Sequence, residues 1–255
     1  MILAIDVGNT NIVIGTIDNG KIGETVRIRT IRDATWAEYA IRLRELVNLS
    51  GIDTSELEGA VIASVVPQIT EKLCLAVKKV TGLDCLVVGP GVKTGMNIKI
   101  DDPATLGADI VVGCVGAMVH YGTPSIVLDL GTATTLVVVD GGGSYIGGAI
   151  FPGVNLSFSA LTAGTSLLPD ISITAPEKVI STNTVDCMRS GAVYGTAFML
   201  DGMIDKMEEE LGEKCTVVAT GGVAHCIIPY CRHEIILDDD LLLKGIWVLW
   251  EKNKA

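Results

Sequence analysis

Basic runs, CxxC cysteine pairs and long apolar stretches are all missing from this 255-residue chain, and each gap closes off a class of function. Lys and Arg number 19 against 30 Asp and Glu, a formal charge of -11, so the electrostatic footprint of a nucleic-acid binder is absent. Any anionic substrate must be met by local amides and metal ions rather than by a positive surface. No apolar run reaches the roughly 18 residues needed to span a bilayer, and the start Met1-Ile2-Leu3-Ala4-Ile5-Asp6 lacks the basic residues and the length of a signal peptide. A soluble, cytoplasmic protein is expected, with no nucleic acid and no membrane among its partners. The cysteines (Cys74, Cys85, Cys114, Cys187, Cys215, Cys226, Cys231) are odd in number and read as free thiols of a reducing compartment. His225-Cys226 with Cys231 and His233 could be imagined as a zinc site, but the spacing matches no standard knuckle and cysteine is commonly buried. Charge is also missing from 141–169, where Gly, Pro, Ser, Thr and Asn argue for loops and a buried surface.

What is present is core and repetition. Hydrophobic residues make up 49% of the chain and charged ones 19%, enough apolar material for two domains of about 120 residues or one large one. Ile5-Asp6-Val7-Gly8-Asn9-Thr10-Asn11 is answered by Leu128-Asp129-Leu130-Gly131-Thr132-Ala133-Thr134, each between apolar β-branched runs. In both copies a buried strand delivers an aspartate, a glycine allows close backbone approach, and hydroxyl or amide side chains follow. Amide-rich turns bind anions and a nearby carboxylate can orient a hydrated cation, so two such loops could clamp a nucleoside triphosphate. One copy alone could be an ordinary hairpin, because Asp-x-Gly and Gly-Asn are common turn residues. The second copy in the same order argues for a duplicated phosphate-handling unit.

Periodicity extends the repeat. Strands are expected at 2–6, 11–17, 23–30, 59–64 and 84–88, with helices at 35–49 and from Pro67 to just before Gly82. The second half offers strands at 125–130, 134–139, 143–149, 216–219 and 234–237, and helices at about 152–161, 190–211, from Gly222, and at 240–252. Between them 111–120 reads as a linking helix, which places the domain boundary near its end, at 1–117 and 118–255.

The two Asp-x-Gly loops, together with 103–109 (PATLGAD), 147–153 (GGAIFPG), Leu161-Thr162, Leu168-Pro169, Asn183-Thr184, Thr220-Gly221-Gly222 and 240–245, fall in an order that resembles the type III pantothenate kinases, within the acetate kinase, sugar kinase, Hsp70 and actin superfamily. The resemblance implies an α/β fold of two similar RNase H-like βββαβαβα domains with a nucleotide cleft between them. It implies ATP-dependent phosphorylation of the terminal hydroxyl of pantothenate, the first step of coenzyme A synthesis. Asp6, Val7, Gly8, Asn9, Thr10, Asn11, Ile12 and Val13 would form the first phosphate loop, and Thr132 would contact the nucleotide from the second. Asp6 would organise Mg2+, Asp129 would hold a monovalent cation (K+ or NH4+), and Asp109 would be the general base. Gly107, Ala108, Asp109, Ile110 and Thr184 would contact pantothenate. The family's members are homodimers with the substrate pocket at the subunit interface, which suits the uncharged 141–169 stretch, and the C-terminal half would carry the adenosine-side loop and the dimer surface.

Asp109 and Thr184 could also serve as helix N-caps, a role that does not exclude chemistry. The chain departs from the family at Ile110, where an arginine is usual, at Ile100, where an aromatic residue is usual, and at Asp102, where an asparagine is usual. Arg189 is a candidate replacement by its proximity to Thr184 in sequence. Two other readings therefore stand beside an active pantothenate kinase: a kinase-like regulatory or binding protein, and a kinase of another small alcohol.

Overall fold

The computed structural model describes residues 1–254. In chain order it contains β1 (Ile2–Val7), β2 (Asn11–Asp18), β3 (Lys21–Arg29), α1 (Trp36–Leu49), β4 (Gly59–Ser64), α2 (Pro67–Thr81), β5 (Cys85–Val87), β6 (Asn97–Ile98) and α3 (Ala108–Tyr121). There follow β7 (Ser125–Leu130), β8 (Ala133–Val139), β9 (Ser144–Pro152), α4 (Val154–Ala163), α5 (Thr184–Leu211), β10 (Thr216–Thr220), α6 (Ala224–Ile227), β11 (Ile236–Leu237) and α7 (Leu241–Asn253). No helix among the described residues is long and apolar enough to cross a membrane.

Two sheets carry one topology. The first runs β3-β2-β1-β4-β5 and the second β11-β10-β7-β8-β9-β6. In each, the first strand pairs antiparallel with the second and parallel with the strand that follows a helix: β1 with β2 and β4, β7 with β8 and β10. Even burial repeats, for β1 and β7 share four consecutive buried residues, a half-buried aspartate and a buried last residue. A strand buried on both faces needs a near-continuous apolar run, as Ile2-Leu3-Ala4-Ile5 and Ser125-Ile126-Val127-Leu128 nearly provide. The second sheet has one strand more, because β6 pairs with the outer edge of β9.

Local signals fix the helices. Thr35 and Glu38 form a capping box at the start of α1, and Pro67 opens α2 where its missing N–H costs nothing. In the first unit Leu3, Ile5, Ile12, Tyr39, Ile62 and Ile69 are central to the core; in the second, Ile126, Leu128, Leu136, Val193 and Leu200.

Two compact units result: 1–96, 101–119 and the segment from Asp240 onward form the first, and 97–100 with 120–239 form the second. The chain thus crosses between units more often than the single boundary after 117 expected from sequence, and α7 groups with the first unit instead of the second half. Two helices also begin earlier than periodicity suggested. Asn183 caps α5 by accepting the Asp186 N–H at 2.9 Å, so the helix starts at Thr184 and not at Ser190. The start of α3 lies at Ala108, which puts Asp109 inside its first turn and excludes the N-cap role.

Candidate active site

The two Asp-x-Gly corners stand at equivalent places, where β1 passes to β2 and β7 to β8. Asp6 and Asp129 are each the last residue but one of their strand and half-buried. Beyond them the chain reverses tightly: Gly8 N–H donates to Asn11 O at 2.9 Å, and Gly131 N–H to Ala133 O at 3.0 Å. In the first corner Asn9, Thr10 and Asn11 are exposed, Gly8 and Val13 are half-buried, and Val7 and Ile12 point into the core. Val7, Ile12 and Val13 are therefore available to a ligand mainly through backbone groups. In the second corner Thr132 is exposed.

Different devices hold the corners. After β3, Thr30 donates its hydroxyl to Gly8 O at 2.7 Å and its N–H to Thr10 O at 3.0 Å, while Arg32 Nη2 donates to Asn9 Oδ1 at 2.9 Å. Lys72 in turn fixes the segment carrying Arg32 by donating to Ala34 O at 2.9 Å. The second corner is held by backbone. Gly153 N–H donates to Thr132 O at 3.1 Å, and a Cβ on Gly153 would run into the carbonyls of Gly131 and Thr132. Gly221 has φ +102, and a Cβ there would sit 2.6 Å from both Asp129 Oδ1 and Leu130 N. Only glycine can lie against that aspartate in this conformation.

Asp109 belongs to the first unit. β4 runs parallel to β1 with Ser64 opposite Val7, and Val65 N–H continues the ladder by donating to Val7 O at 3.0 Å. Gly107 lies beside this strand end, since the Cβ it lacks would stand 3.6 Å from Val65 Cγ1. The start of α3 therefore comes to the same end of the sheet as the first corner. Asp109 Oδ1 accepts the N–H of Ile110 at 2.7 Å, and its carboxylate folds back over Gly107. Among the described residues no cation pairs with it, and burial raises its pKa above the ordinary 3.8, against the pull of its own backbone hydrogen bonds. Ala108 is buried, and Gly107 and Ile110 are half-buried, as is Ile100.

Thr184 is the first residue of α5, one place after the cap. It lines a cavity of about 920 Å³ within the second unit, together with Thr134, Phe151, Ser157, Phe158 and Cys187. Thr134 Oγ1 is buried there without a hydrogen-bond partner. Thr132 is not part of that lining. Arg189 is committed elsewhere: its guanidinium meets Asp186 Oδ1 at 3.3 Å and Ser172 Oγ at 3.4 Å.

The imagined zinc cluster does not form. His225 pairs with Asp239 at 2.8 Å, and His233 with Asp205 at 3.0 Å. Sequence reasoning missed Thr30 and Arg32, whose only signal is their place just after the third strand of a repeat whose first turn needs bracing.

Twin sheets of one strand order, each ending its first strand on an Asp-x-Gly corner, give the molecule a fold shared with sugar kinases of known structure. Among solved structures it is similar to inorganic polyphosphate/ATP-glucomannokinase from Arthrobacter sp. strain KM, over 97% of this chain and 96% of that one, at 16% identity and a TM-score of 0.51. It is also similar to component A of (R)-2-hydroxyglutaryl-CoA dehydratase from Acidaminococcus fermentans, over 97% and 95% of the two chains, at 14% identity and a TM-score of 0.58. Identities this low establish the fold alone.

Sequence similarity narrows the class. The family model described as Type III pantothenate kinase matches residues 2–206. The Type III pantothenate kinase of Moorella thermoacetica is 42% identical over 253 residues, covering 99% of this chain and 100% of its own, and that of Bacillus cytotoxicus is 39% identical, covering 99% and 97%. The chain belongs to the type III pantothenate kinase family.

Proposed function

We propose that this protein transfers the γ-phosphoryl group of ATP to the terminal hydroxyl of pantothenate, giving 4'-phosphopantothenate, the first step of coenzyme A synthesis. The observation that carries the reading is Asp109, a half-buried carboxylate without a cation partner at the strand end beside the first corner. Phosphoryl transfer is mostly positioning and neutralisation of charge, with one carboxylate to take the alcohol proton. Asp109 accepts that proton, and its raised pKa makes it a better base than an ordinary aspartate. The exposed turn from Gly8 to Asn11 and the turn at Thr132 cradle phosphate oxygens with backbone N–H groups and hydroxyls. Arg32 and Thr30 hold the first of these turns in shape.

The carboxylate of Asp6, beside an amide-rich turn, suits a hydrated magnesium ion, which when bound neutralises charge on the phosphates. Asp129, packed among the backbone of Leu130, Gly131 and Gly221, suits a larger monovalent cation, K+ or NH4+. In this reading Gly107, Ala108 and Ile110 of the first unit would contact pantothenate, and Thr184 of the second would be a further substrate contact. The uncharged stretch presents Ile150 at 72% and Leu167 at 92% exposure, which a second copy would cover in a homodimer. The cysteines, all free thiols, fit a cytoplasmic enzyme.

Ile110 favours a second reading, a kinase of another small alcohol, because an apolar side chain stands where the family resemblance has a cation for the substrate carboxylate. One assay separates them: ATP consumption with no acceptor, with pantothenate, and with small alcohols lacking a carboxylate, each in potassium and in sodium at constant ionic strength. Pantothenate-dependent turnover that falls in sodium is expected. Turnover confined to other alcohols would overturn the substrate, and equal rates in both salts would remove the monovalent ion.

A further inference from the structure

Arg32 brings a guanidinium to the first corner: it lies just after β3, it is exposed, and its Nη2 donates to Asn9 Oδ1 at 2.9 Å. The segment that carries it is pinned from several sides. Tyr39 donates its hydroxyl to Ile31 O at 2.8 Å and accepts the Ile31 N–H at 3.1 Å, and Lys72 Nζ donates to the carbonyls of Arg32 at 3.3 Å and Ala34 at 2.9 Å. Tyr39 is buried in the core of the first unit, so these ties reach solid ground. Thr30, two residues earlier, is bonded to the turn itself through Gly8 O and Thr10 O. A side chain leaving so fixed a backbone needs little further ordering to meet a ligand.

Most of this guanidinium is unused by the fold. It carries five N–H donors in a planar fork, of which the bond to Asn9 takes one. Among the described residues no carboxylate pairs with Arg32, although Asp and Glu outnumber Lys and Arg by 30 to 19 and Asp33 is its neighbour in the chain. Arg189 and Arg232, by contrast, each reach an aspartate. Any donor could brace Asn9, whereas a planar cationic fork matches the paired oxygens of a phosphate.

We propose, resting on the phosphate-loop reading of the first turn, that Arg32 binds phosphate oxygens of ATP through the N–H groups that Asn9 leaves unused. One edge of the guanidinium holds the turn in shape, and the rest of the fork faces the anion that the turn receives. Arg32 supplies positive charge there in a chain whose net charge is -11. Charge placed beforehand at the phosphates stabilises the transfer step most, because negative charge shifts among their oxygens as the bond breaks.

A double-mutant cycle on the whole protein tests this, with kcat/KM for ATP measured at saturating pantothenate. Arg32→Met should lower it by about 10²- to 10³-fold, and Arg32→Lys, a point charge without the fork, should recover part of the loss. Asn9→Ala, which removes the braced partner alone, should cost only about fivefold, and Arg32→Met should keep most of its factor in that background. Both side chains are exposed, so the variants should melt like the parent. Titration, which needs no turnover, should show ATP binding weakened by about 10- to 100-fold in Arg32→Met while adenosine binding holds. Equal losses in both single variants with no further loss in the double would make Arg32 a brace alone and overturn the proposal. An active parent whose Arg32→Met variant keeps its kcat/KM and its ATP affinity overturns the role of Arg32 and leaves the reaction standing. A parent that turns over no alcohol, yet binds ATP more tightly than Arg32→Met does, supports the role of Arg32 and overturns the reaction.

Discussion

The two halves repeat one strand order but secure their Asp-x-Gly corners by opposite means. In the first, three exposed residues span the turn, and side chains from outside it, Thr30 and Arg32, hold its carbonyls and amide. In the second, the turn is shorter and the backbone of Gly153 and Gly221 lies directly against it, with no room for a Cβ. A corner braced by hydrogen bonds should lose function by degrees, whereas one braced by close backbone contact should fail outright when a methyl group is added. The proposed base also falls on one side of this divide, since Asp109 belongs to the unit of the first corner.

The largest effect expected is that of Asp109→Asn, which removes chemistry while leaving both corners alone. Steady-state kinetics should show kcat lower by about 10²- to 10⁴-fold with nucleotide binding nearly unchanged. Stability should move the other way. Burial raises the pKa of Asp109 in the folded protein, so its favourable contribution is complete below the unfolded value and is lost as pH rises through the folded one. The asparagine variant should thus melt no lower than the parent at neutral pH, and any advantage should shrink as pH falls toward about 4. A melting curve much below the parent's at neutral pH would mean that Asp109 is a structural residue.

Gly221→Ala comes next, and it tests the steric corner. The new methyl would meet Asp129 and Leu130 while the backbone stays at positive φ, a combined cost of about 2–5 kcal/mol. Thermal melting should fall clearly and activity with it; a variant as stable and active as the parent would show that the second corner is no tighter than the first. Thr30→Val is the gentler counterpart in the first half. Losing its hydroxyl bond to Gly8 O should cost about 1 kcal/mol, seen as a roughly fivefold rise in the KM for ATP. A loss of activity as large as that of Gly221→Ala would erase the distinction between the two corners.

Much of the fold was legible because the repeat carries strong local signals. The bounds expected for β4 and β7 are those found, since each is an apolar β-branched run closed by a change of residue type. The start of α5 was hidden because Ser181-Thr182-Asn183 reads as loop, and only the cap bond from Asp186 to Asn183 shows the helix beginning there. The grouping of α7 with the first unit was also hidden: an amphipathic pattern tells that a helix covers a sheet but not which sheet. At the site, Asp6, Asp129 and Asp109 stood out by motif. Thr30 and Arg32 did not, because hydrogen bonds from just after β3 to a turn 22 and 23 residues earlier leave no spacing signature.

The pH dependence of kcat/KM for pantothenate tests Asp109 as the base most directly. If Asp109 takes the proton, the wild-type profile should fall on the acid side with an apparent pKa above the ordinary 3.8, and the residual activity of Asp109→Asn should lack that limb. The same acid limb in both proteins, or a variant that keeps most of its kcat, would contradict it.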